Sequence, residues 1–328
     1  MYTTIYKNRY TILKLNIMKS NYFYFLYLFS LLVVFSCNNP KKKIESPAPF
    51  FKVSLAQWSF NRMIINNGAN PLDFPKEAKD LGFNAVELVS ELYSKKINEI
   101  GFEKTIDSLV INLSKNKVEC LLIMIDEEGD LAHPDETERD DAVERHKKWV
   151  DAAAKLGCHS IRVNTNGTLI EDIWLTAAED GLRKLSTYAA SKNINILVEN
   201  HGGFSSDPET LMKVINTLNL SNCGTLPDFG NWCIKWVKES KKCVVEYEDY
   251  YKGIEIMMPA AKAVSAKSYN FDKNGNETKI DYVKMLQIVK DSGYNGYIGI
   301  EYEGDEISEK EGVVATRNLL LNAAKKLN

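Results

Sequence analysis

The stretch Ile194-Asn195-Ile196-Leu197-Val198-Glu199-Asn200-His201-Gly202-Gly203 decides the fold. A near-continuous apolar strand runs into a carboxylate, an amide and an imidazole, and two glycines then let the backbone turn away. Strands of this kind are covered on both faces, as in parallel sheets. Two later segments end in the same way: Gly224-Thr225-Leu226-Pro227-Asp228-Phe229-Gly230-Asn231 and Tyr297-Ile298-Gly299-Ile300-Glu301-Tyr302-Glu303. If the strands are parallel neighbours, Glu199, Asp228 and Glu301 converge on one point. Carboxylates so close repel one another, and such a cluster calls for a cation.

Working outward, apolar runs and amphipathic stretches alternate from residue 51. Earlier strands are predicted at 53–57, 84–89, 119–125 and 160–164, with a seventh at 263–268 and an eighth ending at Glu301. Helices are predicted at 71–81, 102–115, 140–156, 170–191, 208–218, 246–258, 280–292 and 310–327. Ile106, Leu109, Val110 and Leu113 show the helical spacing well. Gly82 and Gly157 are natural stops. The acidic loop 126–138 is expected to contribute to a lid. Eight strand–helix units without a linker favour a single (β/α)8 TIM barrel over residues 51–328. The first turn, Gln57-Trp58-Ser59-Phe60-Asn61, lacks the glycine-rich phosphate loop of a doubly wound sheet. Barrel enzymes place their chemistry at the C-terminal ends of the strands, where these acids lie.

The chain has 328 residues and a net charge of −3, with no basic block suited to nucleic acid. Its short lysine runs, Lys41 to Lys43, Lys147-Lys148 and Lys241-Lys242, read as solvated faces. Residues 1–37 read as a secretion signal: Met18-Lys19, an apolar run over 21–35, then Ser36-Cys37. Val34-Phe35-Ser36-Cys37 resembles a bacterial lipobox, with Phe35 bulkier than that pattern prefers, which makes Cys37 the lipidation site. Met18 is an alternative start. Residues 38–50 read as a polar tether. The expected address is the cell envelope, lipid-anchored or periplasmic. Cys120 and Cys158 lie in apolar stretches and are expected to be buried. Cys233 and Cys243 are a candidate pair that sequence alone does not establish.

On these motifs the chain resembles the xylose isomerase-like TIM barrels, the sugar phosphate isomerase/epimerase superfamily. The resemblance covers about residues 51–325. It rests on Gly82-Phe83-Asn84-Ala85-Val86-Glu87-Leu88, Val198-Glu199-Asn200-His201, Pro227-Asp228-Phe229-Gly230-Asn231 and Gly299-Ile300-Glu301. It implies a divalent metal held by a strand-five glutamate, a strand-six aspartate, a strand-seven histidine and a strand-eight glutamate. Glu199, Asp228 and Glu301 fill three of those places. The histidine place falls at about Ser265, whose hydroxyl suits a hard cation, so Mg²⁺, Mn²⁺ and Ca²⁺ are the metals to consider, or none. Lys267 points to the same side as Ser265 and would bridge the carboxylates or hold a substrate carboxylate.

The resemblance further implies isomerisation or epimerisation, with Glu199 and Glu301 passing a proton through an enediolate. His201 is expected to meet substrate or to supply the missing imidazole. Gln57, Trp58 and Glu87 are further candidate substrate contacts, though Trp58 serves packing equally well. Asn231 binds substrate or shapes its turn. Trp232 and Trp236 form a pocket wall or a contact in a homodimer. His133, His146 and His159 are read as structural or solvent-exposed. The expected partner is a small carbohydrate, a free sugar, keto-sugar or glycoside. A keto-glycoside lyase or dehydratase is the enzyme alternative, and a non-catalytic carbohydrate-binding lipoprotein the other. Apurinic endonucleases on a related barrel need more histidines and a basic groove.

Overall fold

The apolar runs become strands: β1 (Lys52–Ala56), β2 (Ala85–Val89), β3 (Glu119–Ile125), β4 (Ser160–Val163), β5 (Asn195–Glu199), β6 (Cys223–Leu226), β7 (Cys233–Val237), β8 (Lys242–Glu246), β9 (Val264–Ser268) and β10 (Tyr297–Tyr302). They come from a computed structural model that describes residues 48–237, 240 and 242–327. The signal-like run, Cys37 and nearly all of the tether lie outside the described residues.

Among the described residues, eight strands form one parallel sheet in the order β6-β5-β4-β3-β2-β1-β10-β9. Every residue of β2, β4, β6 and β9 is buried, as strands covered on both faces require. The ring closes between β6 and β9. Lys262 N donates to Thr225 O at 3.1 Å, Ser265 N to Pro227 O at 2.9 Å, and Phe229 N to Ser265 O at 3.1 Å. Asp228 and Ser265 are themselves bridged here, so the seam of the barrel passes through two residues of the expected site.

Helices cover the outside, the longest being Glu136–Leu156, Glu171–Ala190 and Glu309–Lys326. Side chains of Asp135, Asp207, Asp249, Asp281 and Ser308 accept backbone N–H groups at the starts of their helices. Inside the ring, Ala56, Val89, Leu122, Met124, Leu197 and Leu226 pack as a separate apolar plug. Side chains alternate along each strand. The same inward parity that places Leu197 and Val89 in the plug therefore turns Glu199 and Glu87 inward.

Two sequence expectations change, and one left open is decided. The helix expected over 246–258 begins only at Tyr250, because Lys242–Glu246 is the second strand of an antiparallel hairpin with β7. The hairpin alternates poorly and stands largely in solvent, so no periodicity announced it. Glu136 and Glu138 belong to the first turn of the long helix rather than to a lid. Cys233 and Cys243 form a disulfide across the hairpin. Cys120 and Cys158 are buried as expected.

Candidate active site

The three acids that end β5, follow β6 and end near the tip of β10 do meet. One carboxylate oxygen from each of Glu199, Asp228 and Glu301 lies within 4.8 Å of the others. Their residues are 1%, 0% and 4% exposed. Each spends one oxygen on the protein. Asn231 Nδ2 donates to Glu199 Oε1 at 3.0 Å, Gly230 N to Asp228 Oδ1 at 2.9 Å, and Lys267 Nζ to Glu301 Oε1 at 2.9 Å.

The second oxygens are different. Asp228 Oδ2 and Glu301 Oε2 are buried without a hydrogen-bond donor among the described residues, and so is Ser265 Oγ, while Glu199 Oε2 meets only the charge of Arg162. Buried acceptors left open are costly, and native structures seldom keep several together unless something else binds them. Three convergent carboxylate oxygens beside a hydroxyl fit a hard divalent cation. The residues present therefore fit the metal that the family resemblance implies, with Ser265 in the histidine place.

Two buried cations balance the acids. Arg162, inward on β4, has Nη1 2.5 Å from Asp126 Oδ1 and Nε 2.8 Å from Glu199 Oε2. Asn164 Nδ2 donates to the same Asp126 oxygen at 2.9 Å. Lys267 is paired by register with Glu301 and also reaches Glu303 Oε1 at 3.0 Å. Burial raises the pKa of Glu199, Asp228 and Glu301 despite these cations. Burial also opposes ionisation of Glu303 and Asp126, but Lys267 and Arg162 respectively outweigh it, and both pKa values fall. Lys267 is held well above the usual lysine range, the carboxylates around it overcoming the cost of burial.

A cavity of about 780 Å³ opens above this floor, lined by Trp58, Arg162, His201, Asn231, Glu301 and Glu303 among others. His201 is exposed to the cavity mouth. Crowding by protein, then the Arg162 charge, lowers its pKa, so the ring is neutral at ordinary pH. Trp58 lines the cavity as expected. Trp232 is buried, stacked on Tyr250 at 5.5 Å, with Nε1 donating to Phe229 O. It forms part of the cavity wall.

Two expected substrate contacts are corrected. Gln57 is fully buried, accepts from Val89 N at 3.1 Å and donates to Pro71 O at 3.4 Å. Its amide ties β1 to β2 and does not line the cavity. Glu87 lies beneath the floor, accepting from Ser54 Oγ at 2.7 Å. A Cβ at Gly299 would stand 2.5 Å from Glu87 Oε1, so this glycine is what lets the carboxyl cross β10. Burial raises its pKa to about 7.

Sequence reasoning missed Arg162, Asp126 and Glu303. Glu303 follows Glu301 at strand parity, a signal that was present. Arg162 carried none, because its meaning depends on which strands flank β4. Asn200 was also passed over, and its contacts with Asp228 fix the end of β6.

A profile of xylose isomerase-like TIM barrels matches residues 75–323. The chain belongs to the xylose isomerase-like TIM barrel family. Similar solved structures share that barrel at low identity. D-psicose 3-epimerase from Clostridium cellulolyticum, solved with D-tagatose, is 13% identical with a TM-score of 0.63, over 84% of this chain and 99% of that one. The 3-keto-D-glucoside 4-epimerase of E. coli is 15% identical with a TM-score of 0.62, over 82% and 98%. A xylose isomerase-like TIM barrel protein from Mycobacterium smegmatis, solved with magnesium, is 14% identical with a TM-score of 0.61, over 84% and 97%. No protein of curated function matches the sequence.

Proposed function

We propose that this xylose isomerase-like barrel is an isomerase or epimerase of a free sugar, keto-sugar or glycoside, working by proton transfer at a carbon next to a carbonyl. The observation that carries the reading is the set of buried, convergent carboxylates of Glu199, Asp228 and Glu301 at the cavity floor. The epimerases among the similar structures support it.

Glu199 and Glu301 come from strands separated in the ring by β6 and β9, so they reach the cavity from different sides. One takes the proton and either one returns it, which gives isomerisation or inversion. Burial raises both pKa values, so each carboxylate is a stronger base than it would be in water. Asn231 orients Glu199, and Lys267 orients Glu301. Arg162 and Lys267 lower the energy of negative charge developing on the substrate oxygens as the enediolate forms. A divalent cation held by Glu199, Asp228 and Glu301, with Ser265 beside them, would supply Lewis acidity toward those same oxygens.

The signal-like N-terminus directs the reading to an unphosphorylated sugar in the cell envelope. The Cys233–Cys243 disulfide supports an oxidising compartment. The test is a D₂O exchange screen on aldo- and keto-sugars and their glycosides, read by NMR with added Mn²⁺ or Mg²⁺. Deuterium entering one substrate carbon, lost in Glu199→Gln and Glu301→Gln, is the expected result. Exchange that persists undiminished in both variants overturns the assignment.

A further inference from the structure

One large side chain lining the cavity is left largely exposed by the described residues. Trp236 is 54% exposed, although it sits on a disulfide-closed hairpin beside a polar site. The hairpin register explains where the indole points. Cys233 pairs with Glu246 and Trp236 with Cys243, with irregularities on either side of Lys235. In a regular strand Lys235 would share a face with Cys233. The irregular register instead puts Trp236 on that face, and bulges commonly re-aim a side chain in this way. Cys233, Trp236, Cys243 and Glu246 all line the cavity that holds Glu301 and His201. The disulfide joins two of these four and holds the hairpin to one register.

The indole also lies beside the turn that follows β5. A Cβ built on Gly202 would lie 3.7 Å from Trp236 Nε1. Gly202 follows His201 and has φ +94°, so the indole lies at ordinary contact distance from a turn that favours glycine. Trp236 therefore lines the cavity beside the turn that follows β5, and Trp58 lines it after β1. Glu246, which lines the same cavity from the partner strand, offers a carboxylate to hydroxyl groups, with Oε1 already accepting from Tyr250 at 2.5 Å. An aromatic face beside an acceptor is what the apolar C–H face and hydroxyl rim of a pyranose ring require.

Size points the same way. Pockets of roughly 300–1,000 Å³ enclose drug-sized ligands. At about 780 Å³ the cavity has far more room than a monosaccharide of about a dozen heavy atoms needs. We infer that Trp236 and Glu246 form a second-ring subsite, and that the substrate is a glycoside whose reacting sugar lies on the carboxylates while its neighbouring ring stacks on Trp236. This rests on the cavity being a carbohydrate site, as proposed above. Binding energy from the second ring then positions the reacting ring without touching it.

Isothermal titration calorimetry tests this without relying on turnover. The probes are glucose and methyl β-glucoside against cellobiose, maltose and 4-nitrophenyl β-glucoside. The unaltered protein is expected to bind at least one two-ring probe about tenfold more tightly than either single-ring one. Trp236→Ala should remove most of that gain and change single-ring binding less than about twofold, and Trp236→Tyr should restore it. Those sizes match one aromatic contact. No gain from any second ring, or equal losses on single- and two-ring probes, overturns the inference. So does sedimentation showing that Trp236→Ala turns a dimer into a monomer, since the indole would then belong to a subunit contact. Exchange in D₂O without a second-ring gain rejects the subsite alone. A second-ring gain without exchange on any sugar rejects the isomerase reading and leaves the subsite standing.

Discussion

Asn200 clasps the backbone of Asp228 from both sides. Its Oδ1 accepts from Asp228 N at 2.7 Å, and its Nδ2 donates to Asp228 O at 2.9 Å. The same amide nitrogen reaches Asn231 O at 3.1 Å. The residue after β5 thus sets the position of the acid after β6 and of the amide that holds Glu199. Replacement by alanine removes these bonds and leaves buried backbone groups unpaired. Asn200→Ala is expected to cost roughly 2–4 kcal/mol of stability. It should also lower turnover at saturating sugar more than it raises KM, because both acids shift. Urea unfolding and steady-state kinetics check this, and unchanged turnover in a folded variant would refute the positioning role.

Lys267 is a buried cation among acids, bonded to Glu301 and Glu303. Removing one partner of such a group leaves charge without compensation, typically at a cost of about 3–5 kcal/mol. Lys267→Met is therefore expected to lower the Tm sharply, and adding Glu303→Gln should restore part of the loss. A double variant as unstable as the sum of the two single ones would show that the pair is not coupled.

The barrel was legible because its strands are buried on both faces, and near-continuous apolar runs ending in acids leave few alternatives. The triad was legible for the same reason: Glu199, Asp228 and Glu301 each close such a run. What could not be read locally depends on register. Arg162 sits in the short strand Ser160–Val163 and acquires its role only from Asp126 and Glu199 on the flanking strands. Glu87 and Gln57 look like site residues by position, yet Glu87 points inward below the mouth onto Ser54, and Gln57, next to inward-facing Ala56, is spent on the backbone of Val89 and Pro71. The hairpin escaped notice because its residues are mostly exposed, so no apolar period marks them.

The convergent carboxylates of the triad give a metal prediction independent of activity. A ligand that binds only the folded chain raises stability by about 2.7 kcal/mol at a hundred times its Kd. Mn²⁺ or Mg²⁺ should raise the Tm of the chelator-treated protein, and Asp228→Asn should abolish the rise. Ser265→His should deepen it for Mn²⁺ and Zn²⁺ more than for Mg²⁺, because imidazole favours transition metals. Equal shifts in the unaltered protein and Asp228→Asn would place the ion elsewhere.

Glu87 gives a pH signature. Its pKa rises from 4.5 to about 7, chiefly through burial and further through Glu301 and Glu199, with Ser54 opposing. A carboxyl with a raised folded pKa favours the fold while protonated. Its contribution is fully present below the unfolded value near pH 4.5, is lost as pH rises to about 7, and is constant above that. At about 1.4 kcal/mol per pKa unit, the loss across this window is roughly 3 kcal/mol. Glutamine keeps the shape and can still accept from Ser54 without taking a charge. Glu87→Gln should therefore match the unaltered protein near pH 4.5 and exceed it by up to roughly 3 kcal/mol at pH 8. Urea unfolding of the chelator-treated proteins across pH 4.5–8 measures the difference. If the gap between them stays flat through that window, Glu87 is not the buried proton acceptor beneath the floor.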